Sequence, residues 1–343
     1  MLRTRLLLTS LTAILTAVSI LLQPIPTARA AQAGSVHQRI AFVTVDRTTR
    51  TVTLNLANPD GSGIIPLITS YGIFSPVWSP DGTMLAFSAQ KDETSRFYVF
   101  VINSDGSDLR QISAKSSFQA PSYPVWSPDG KQLLFINKLG GGGSYFAMFR
   151  ANADGSGEEQ LQLNGIFKSL YNTWLAWSPD GSKVAVFATS ETDWQYGQLT
   201  FADLDGGNAQ PLPTAPDGHS YSFLEWSRDG AKIVLFRILM SDGKPETLAI
   251  ADADGSNLQV IVNSPPINIS SASWSPDAKQ IVFVANKPVT FDPADLWIVN
   301  ADGSNLHKLS IPDEVGYYLG TSWGLLPADL AAPSAPISLI PSK

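Results

Sequence analysis

Trp78-Ser79-Pro80-Asp81-Gly82 is a short motif that returns at regular intervals along most of the chain. Five copies keep the tryptophan and the aspartate, and a sixth, Trp323-Gly324, keeps only the tryptophan. The six tryptophans are Trp78, Trp126, Trp177, Trp226, Trp274 and Trp323, and the aspartates are Asp81, Asp129, Asp180, Asp229 and Asp277. Consecutive tryptophans are 48, 51, 49, 48 and 49 residues apart. A period of this length is typical of architectures in which each repeat is one supersecondary unit.

A second motif keeps the same period. It is an Asp-Gly pair that follows a short apolar run, with its aspartates at Asp60, Asp105, Asp154, Asp205, Asp254 and Asp302. Because two independent motifs stay in phase over six copies, the chain is a tandem repeat of about 49 residues.

Each repeat is predicted to contain four antiparallel strands, A to D, with strand A ending at the tryptophan. Ser-Pro-Asp-Gly predicts a tight turn after strand A, since proline presets φ and glycine accepts a positive φ. The nearly continuous apolar runs that follow, such as residues 232–237, indicate a strand B that is covered on both faces. Four antiparallel strands per repeat of this length predict an all-β, six-bladed propeller over residues 31–326.

The two ends of the repeat region are complementary. Strands B, C and D are predicted at residues 38–45, 51–57 and 64–69, whereas residues 320–325 form a lone strand A. We therefore expect the C-terminal strand A to join the N-terminal strands B, C and D in one blade, which closes the ring and removes exposed sheet edges. Residues 327–343 are rich in Pro, Ala and Ser and are predicted to be a flexible tail.

Residues 1–30 have the features of an export signal. Arg3 and Arg5 precede an apolar stretch over residues 6–22, and Ala28-Arg29-Ala30 is a small-x-small cleavage site. The alternative is an uncleaved membrane anchor, but 17 residues lie near the lower limit for a membrane span and the cleavage site favours removal. We expect cleavage, a periplasmic or secreted location and no stable membrane span in the mature protein.

Composition excludes several classes of function. The chain has no cysteine, so disulfides, thiolate metal sites and cysteine nucleophiles are excluded. Of its 23 basic residues, three lie in the signal, which leaves 20 against 30 acidic residues and a formal charge of −10. No basic cluster occurs, so nucleic acid is excluded as a partner. His37, His219 and His307 do not form a catalytic or metal-binding pattern, and the Asp-Gly turns lack EF-hand spacing. We predict no catalytic residue, metal or cofactor.

Function is expected in the B–C and D–A connections, which vary between repeats while the turns stay constant. These connections are rich in aromatic residues: Phe118, Tyr123, Tyr171, Trp174, Trp194, Tyr196, Tyr221, Phe291, Tyr317 and Tyr318. Aromatic rings with a polar tip suit both protein interfaces and sugar stacking, although some of them are expected only to cover the core.

Glu225 stands out at the position before the repeat tryptophan, where the other copies have uncharged residues. It is predicted either to face a central channel and hold a cation or a partner's donor, or to pair locally with Arg228 or Arg237.

The repeat resembles the WD-like repeat of TolB propellers, which also occurs in prolyl oligopeptidase-type peptidases. The shared pattern is Trp-Ser-Pro-Asp-Gly-x-x-Leu-Ala-Phe followed by Asn-x-Asp-Gly-Ser-x-Leu-x-x-Leu, with the best copies at 74–113, 122–163 and 270–310. The resemblance covers residues 38–325 and therefore only the propeller. The N-terminal α/β domain of TolB and the hydrolase domain of the peptidases, with its Gly-x-Ser-x-Gly motif, have no counterpart.

The resemblance implies a periplasmic module that binds proteins. The first hypothesis is accordingly a monomeric, non-enzymatic propeller that binds an unidentified envelope or extracellular protein. The second is a carbohydrate or small-ligand binder that uses Trp174 and Trp194. The third is a hydrolase or lyase that uses carboxylates such as Glu225, Glu191, Asp193 or Asp292.

Overall fold

The computed structural model describes residues 37–340 except 47, 93, 95, 116, 119–121, 140–144, 162–173, 189–197, 213–218, 240–244, 264–267, 287–294, 312–316 and 327–335. All of these residues belong to the compact unit Ser35–Lys343. Within them, no helix is long and apolar enough to cross a membrane.

The described strands form six sheets, which we call blades 1 to 6. Blade 6 begins with β1 (His37–Val45), β2 (Val52–Ala57) and β3 (Ile65–Ser70). Blade 1 contains β4 (Ile73–Trp78), β5 (Met84–Gln90), β6 (Arg96–Asn103), β7 (Arg110–Gln111) and β8 (Ser117–Phe118). Blade 2 contains β9 (Val125–Trp126), β10 (Gln132–Leu139), β11 (Tyr145–Asn152) and β12 (Glu159–Gln160). Blade 3 contains β13 (Leu175–Trp177), β14 (Lys183–Ala188), β15 (Gln198–Asp203) and β16 (Gln210–Pro211).

The remaining strands complete the ring. Blade 4 contains β17 (His219–Trp226), β18 (Lys232–Leu239), β19 (Pro245–Asp252) and β20 (Gln259–Asn263). Blade 5 contains β21 (Asn268–Trp274), β22 (Gln280–Asn286), β23 (Asp295–Asn300) and β24 (His307–Lys308). The last strands, β25 (Tyr317–Leu326) and β26 (Ile337–Ser338), belong to blade 6. Each blade thus has four antiparallel strands, and blades 1 and 6 have one more strand each. This confirms the predicted four-stranded repeat.

Blade 6 joins the two ends of the chain. Its strand order is β25-β1-β2-β3-β26, and β25 pairs antiparallel with β1 so that Trp323 lies opposite Ile40. The predicted closure, in which a C-terminal strand A joins N-terminal strands B, C and D, is therefore confirmed.

The core lies between neighbouring blades. Strand B is covered on both faces, as its apolar sequence predicted: Ile233, Val234 and Leu235 of β18 have no exposed surface. The repeat tryptophan is part of these interfaces, since Trp126 of blade 2 packs in one cluster with Val99 of blade 1. The same packing places Trp323 of blade 6 against residues of blade 5.

Each Ser-Pro-Asp turn has the same pattern of hydrogen bonds. In the second copy, Ser127 Oγ donates to Asp129 Oδ1 (2.6 Å) and accepts the N–H of Gln132 (2.9 Å). Asp129 Oδ1 also accepts the N–H of Lys131 (3.1 Å), and Gly130 takes a φ of 69°. The Ser127 hydroxyl and the Lys131 N–H hold the pKa of Asp129 below its ordinary value. The repeated aspartate therefore stabilises the turn.

Replacing Ala278 by glycine is expected to stabilise the protein by about 1 kcal/mol. Ala278 occupies the turn position that is glycine in the other complete copies, and its φ is 56°. An L side chain is strained in this left-handed conformation, and glycine is not. Urea unfolding would measure the gain, with Ala231→Gly, at a position outside the positive-φ set, as the control that should not stabilise. A less stable Ala278→Gly variant would contradict the strain argument.

Part of the segment predicted to be a flexible tail forms a strand. β26 pairs parallel with the outer edge of β3, with Ile337 opposite Ile68, and the N–H of Leu339 donates to Thr69 O (2.9 Å). Ile337 and Leu339 are half-buried against the cluster that contains Leu67. The expectation of a flexible tail is corrected for residues 336–340, because alternate apolar side chains cover an otherwise open sheet edge.

Candidate functional site

The innermost strands of the six blades surround a channel with a cavity of about 470 Å³. Strand A of each blade runs along the channel wall from the D–A connection to the A–B turn. Residues at equivalent positions of the six repeats therefore form rings around the channel. The mouth ring, three residues before the tryptophan, is Ser75, Tyr123, Trp174, Phe223, Ser271 and Gly320. The middle ring, one residue before it, is Val77, Val125, Ala176, Glu225, Ser273 and Ser322, of which all but the buried Ser273 line the cavity. The base ring, two residues after it, is Pro80, Pro128, Pro179, Arg228, Pro276 and Leu325.

The base ring is spanned by one side chain. Arg228 replaces the proline found in most other copies, and its Nη2 donates to the carbonyl oxygen of Pro80 (2.5 Å). Arg228 belongs to blade 4 and Pro80 to blade 1, which lies opposite in a ring of six. The arginine therefore crosses the end of the channel at the A–B turns.

One arc of the middle ring is polar. Glu225 Oε1 accepts hydrogen bonds from Ser273 Oγ (3.0 Å) and from the N–H of Trp274 (3.1 Å) in the next blade. Ser273 Oγ in turn accepts the N–H of Trp323 (3.1 Å), and Ser322 Oγ accepts that of Trp78 (3.4 Å). The polar residues of blades 4, 5 and 6 thus each reach the backbone of the following blade.

The opposite arc of the middle ring is apolar. Val77, Val125 and Ala176 occupy the equivalent positions in blades 1, 2 and 3 and carry no acceptor. The channel is therefore polar on one side and apolar on the other, although all six blades share one backbone plan.

Burial raises the pKa of Glu225 to about 7, against the hydrogen bonds from Trp274 N–H and Ser273, which lower it. The residue is partly exposed and lines the channel. The predicted local pairing with Arg228 is not formed among the described residues, because Arg228 donates to Pro80 O and not to Glu225. Glu225 lies among the residues that line the channel, as the other prediction expected.

The mouth ring is aromatic on blades 2, 3 and 4. The ring centroids of Tyr123 and Trp174 are 5.0 Å apart at an interplanar angle of 48°, and Trp174 meets Phe223 edge-on at 4.8 Å. Phe223 is buried and stacks on Phe236, whereas Tyr123 and Trp174 are half-buried. Blades 5, 6 and 1 have Ser271, Gly320 and Ser75 at these positions, so the aromatic surface covers half of the mouth.

The structure brings three of the predicted site residues to the channel: Tyr123, Trp174 and Glu225. Tyr221 is only 6% exposed and packs in the core, so it does not belong to this surface. Tyr317 is the first residue of β25, and only its backbone is described. The remaining candidates, Tyr171, Trp194, Tyr196 and Phe291, lie outside the described residues.

Sequence reasoning missed Phe223 as part of the aromatic mouth and Arg228 as the residue that spans the base. Both could have been found by aligning the six repeats position by position, because Phe223 shares its column with Tyr123 and Trp174, and Arg228 stands where most copies have proline. Among the described residues, no group of three or more His, Asp or Glu side chains is placed to hold a metal ion.

Six sheets of antiparallel strands, closed into a ring around a channel, define a six-bladed β-propeller. Residues 29–326 match the family model of the TolB beta propeller domain. Since this match covers most of the sequence, the chain belongs to the TolB β-propeller family.

Solved structures show the same fold. TolB from Acinetobacter baumannii is 24% identical with a TM-score of 0.67, over 83% of this chain and 66% of that one. A putative TolB from Agrobacterium tumefaciens is 18% identical with a TM-score of 0.58, over 86% of this chain and 100% of the other. Hydrazine synthase from Kuenenia stuttgartiensis is 13% identical with a TM-score of 0.64, over 87% of this chain and 48% of that one. The chain thus spans less than two thirds of the A. baumannii TolB. A comparison with curated proteins gives no match.

Proposed function

We propose that the chain is an extracytoplasmic, non-enzymatic propeller that binds a protein partner at the channel mouth. The observation that carries this proposal is the pair of half-buried rings, Tyr123 and Trp174, at the rim of a cavity of about 470 Å³. Accessible aromatic side chains that flank a pocket are the usual anchors of protein interfaces. Membership of the TolB β-propeller family supports the same role.

The charges along the channel favour binding over hydrolysis. Among the described residues that line it, the charged side chains are Glu225 and Arg228, and Arg228 is held by Pro80. Glycoside hydrolysis requires two carboxyl groups about 5–9 Å apart. The fold itself does not decide between the two, because the similar hydrazine synthase is an enzyme by name.

The extracytoplasmic location rests on residues 1–30, which lie outside the described part of the chain. We expect the mature protein recovered from a secreting host to begin at Ala31. N-terminal sequencing of the extracytoplasmic fraction tests this. An intact N-terminus in the membrane fraction would instead support the anchor.

Replacing Trp174 by alanine is expected to weaken partner binding by tenfold or more, because truncation of a central aromatic anchor has a large effect on affinity. The partner is first identified by placing a photo-crosslinking amino acid at position 174 in cells and, as a control, at the exposed Leu306 outside the channel. A protein crosslinked from position 174 alone is purified, and calorimetry compares its affinity for the wild type, Trp174→Ala and Leu306→Ala.

Two outcomes would contradict the proposal. One is equal affinity of the identified protein for the wild type and Trp174→Ala. The other is an absence of crosslinked protein at position 174 together with binding on a glycan array that Trp174→Ala abolishes, which would establish the carbohydrate alternative.

A further inference from the structure

We propose that the channel is a binding site for one basic group, an ammonium or a guanidinium, held between Glu225 and the Tyr123–Trp174 pair. This inference deepens the proposed function, because the partner would carry the group on an extended segment that enters the mouth. It identifies the chemistry of the ligand, which the fold and the family do not supply.

The carboxylate of Glu225 has one oxygen to which no described residue donates. Both hydrogen bonds of Glu225 fall on Oε1, from Ser273 and Trp274, and the described residues supply no partner for Oε2. Glu225 lines the cavity, so Oε2 is available to a donor that enters it. Ser273 and Trp274 hold the carboxyl group in position before a ligand arrives, which reduces the entropy lost on binding.

No cationic side chain among the described lining residues competes for Glu225. Arg228 is the other charged residue lining the described channel, and it is bound to Pro80 O at the base ring. The carboxylate therefore has no cationic side-chain partner in the described channel. A buried charge without a partner is unfavourable, and an entering ammonium or guanidinium group supplies one.

Two aromatic rings, Tyr123 and Trp174, lie at the channel mouth above Glu225. Phe223 and Glu225 are two residues apart on β17, which places them on the same face about 6.6 Å apart along the strand. Trp174 contacts Phe223, and Tyr123 contacts Trp174, so a group that passes the mouth meets two half-buried rings before it reaches the carboxylate. Tryptophan and tyrosine faces attract cations through their quadrupoles.

A metal ion fits this arrangement less well. Calcium takes six to eight oxygen ligands, whereas the described middle ring offers one carboxylate and two serine hydroxyls that already accept backbone N–H groups. The cavity of about 470 Å³ has room for a whole side chain.

Ionisation of Glu225 makes the site pH-dependent. The titratable and charged groups among the described lining residues are Glu225, Arg228 and the phenol of Tyr123. Burial raises the pKa of Glu225 to about 7, so the carboxyl group is largely protonated at pH 5 and ionised at pH 8. Affinity for a basic group is expected to rise between these values.

Calorimetric or NMR titration of the folded propeller with n-butylguanidinium and n-butylammonium tests the inference, with n-butanol as the neutral control. We expect the two cations to bind at least tenfold more tightly than n-butanol at pH 8, and at least tenfold more weakly to Glu225→Gln than to the wild type. Glu159→Gln, on the outer strand of blade 2, is the matched control and should retain the wild-type affinity. In the wild type, affinity should increase about tenfold or more from pH 5 to pH 8, and this dependence should vanish in Glu225→Gln.

Peptides identify the source of the basic group. The blocked peptide acetyl-Gly-Ser-Lys-Ser-Gly-amide carries a side-chain ammonium, and Gly-Ser-Ser-Ser-Gly-amide carries only the terminal one. Binding of the first peptide alone assigns a lysine side chain, and binding of the second alone assigns a chain terminus.

Equal binding of n-butanol and the cations, or unchanged cation affinity in Glu225→Gln, would overturn the inference. In that case a crosslinked protein whose affinity depends on Trp174 would still support the proposed function. Conversely, selective cation binding without any crosslinked protein would retain the site and remove the protein partner.

Discussion

Gly82→Ala is expected to destabilise the protein by roughly 3–5 kcal/mol. Gly82 lies in the first Ser-Pro-Asp-Gly turn with a φ of 75°, and a Cβ there would lie 1.7 Å from the carbonyl oxygen of Leu325. Leu325 belongs to β25, the strand that closes the ring. Because the obstacle is a backbone atom, relief requires blade 1 to move away from blade 6.

The repeat supplies a matched control. Gly130 occupies the same turn position in the second copy with a φ of 69°, but its Cβ would have only Pro80 Cδ as a neighbour, at 3.7 Å. Gly130→Ala carries the left-handed strain alone and should lower stability by about 1–2 kcal/mol. The difference between the two variants in denaturant unfolding isolates the contact at the closure. Equal losses would show that Gly82 and Leu325 do not meet in the folded protein.

A second variant tests the same joint without backbone strain. A Cβ on Gly324 would lie 2.2 Å from Cγ of Trp78, and Gly324 does not have a positive φ. The other repeats have serine at this position, so Gly324→Ser restores the repeat pattern and is nevertheless expected to destabilise the protein.

Glu225→Gln is expected to stabilise the protein relative to the wild type as the pH rises from 4.5 to about 7. Burial raises the pKa of Glu225 from 4.5 to about 7 in the folded state. The folded state therefore holds a proton that the unfolded state releases, and stability present below pH 4.5 is lost as the pH rises through 7. The shift corresponds to roughly 3 kcal/mol in favour of the variant at pH 8. Glutamine keeps an oxygen that can accept from Ser273 and Trp274.

Urea unfolding of the wild type and the variant from pH 4.5 to pH 8 measures this difference. Asp129→Asn is the control, and its difference in stability from the wild type should not change over this pH range. The Ser127 and Lys131 hydrogen bonds lower the pKa of Asp129, so its contribution is present above its ordinary pKa and is lost in acid. A pH-independent difference between Glu225→Gln and the wild type would show that the carboxyl group is not buried as described.

Much of the architecture could be predicted because short turn motifs and apolar strand patterns specify it and recur in each repeat. Pro80 and Gly82 specify a turn through their own φ angles, and apolar runs such as that of β18 specify a strand covered on both faces. The N-terminal repeat lacks a strand A and the C-terminal end has an unpaired one, which predicted that the two ends join and close the ring. The short strand β26 was not predicted, since a Pro-rich segment shows no pattern of its own and pairs only because β3 offers an edge.

The candidate site was predictable only in part. Glu225 could be recognised as the charged member of its column, and Trp174 as one aromatic residue of a variable connection. Their convergence with Tyr123, and the removal of Tyr221 into the core, depended on which way each strand faces once the ring has formed.

A closed ring of six four-stranded units follows from the amino-acid sequence alone, because turns and strand patterns act over a few residues and repeat in phase. The lining of the channel depends instead on tertiary packing. Residues about 50 positions apart, such as Glu225 and Trp274 or Tyr123 and Trp174, meet because neighbouring blades pack around a common axis. That packing, which no local pattern encodes, sets the burial of Glu225 and the crossing of the base by Arg228.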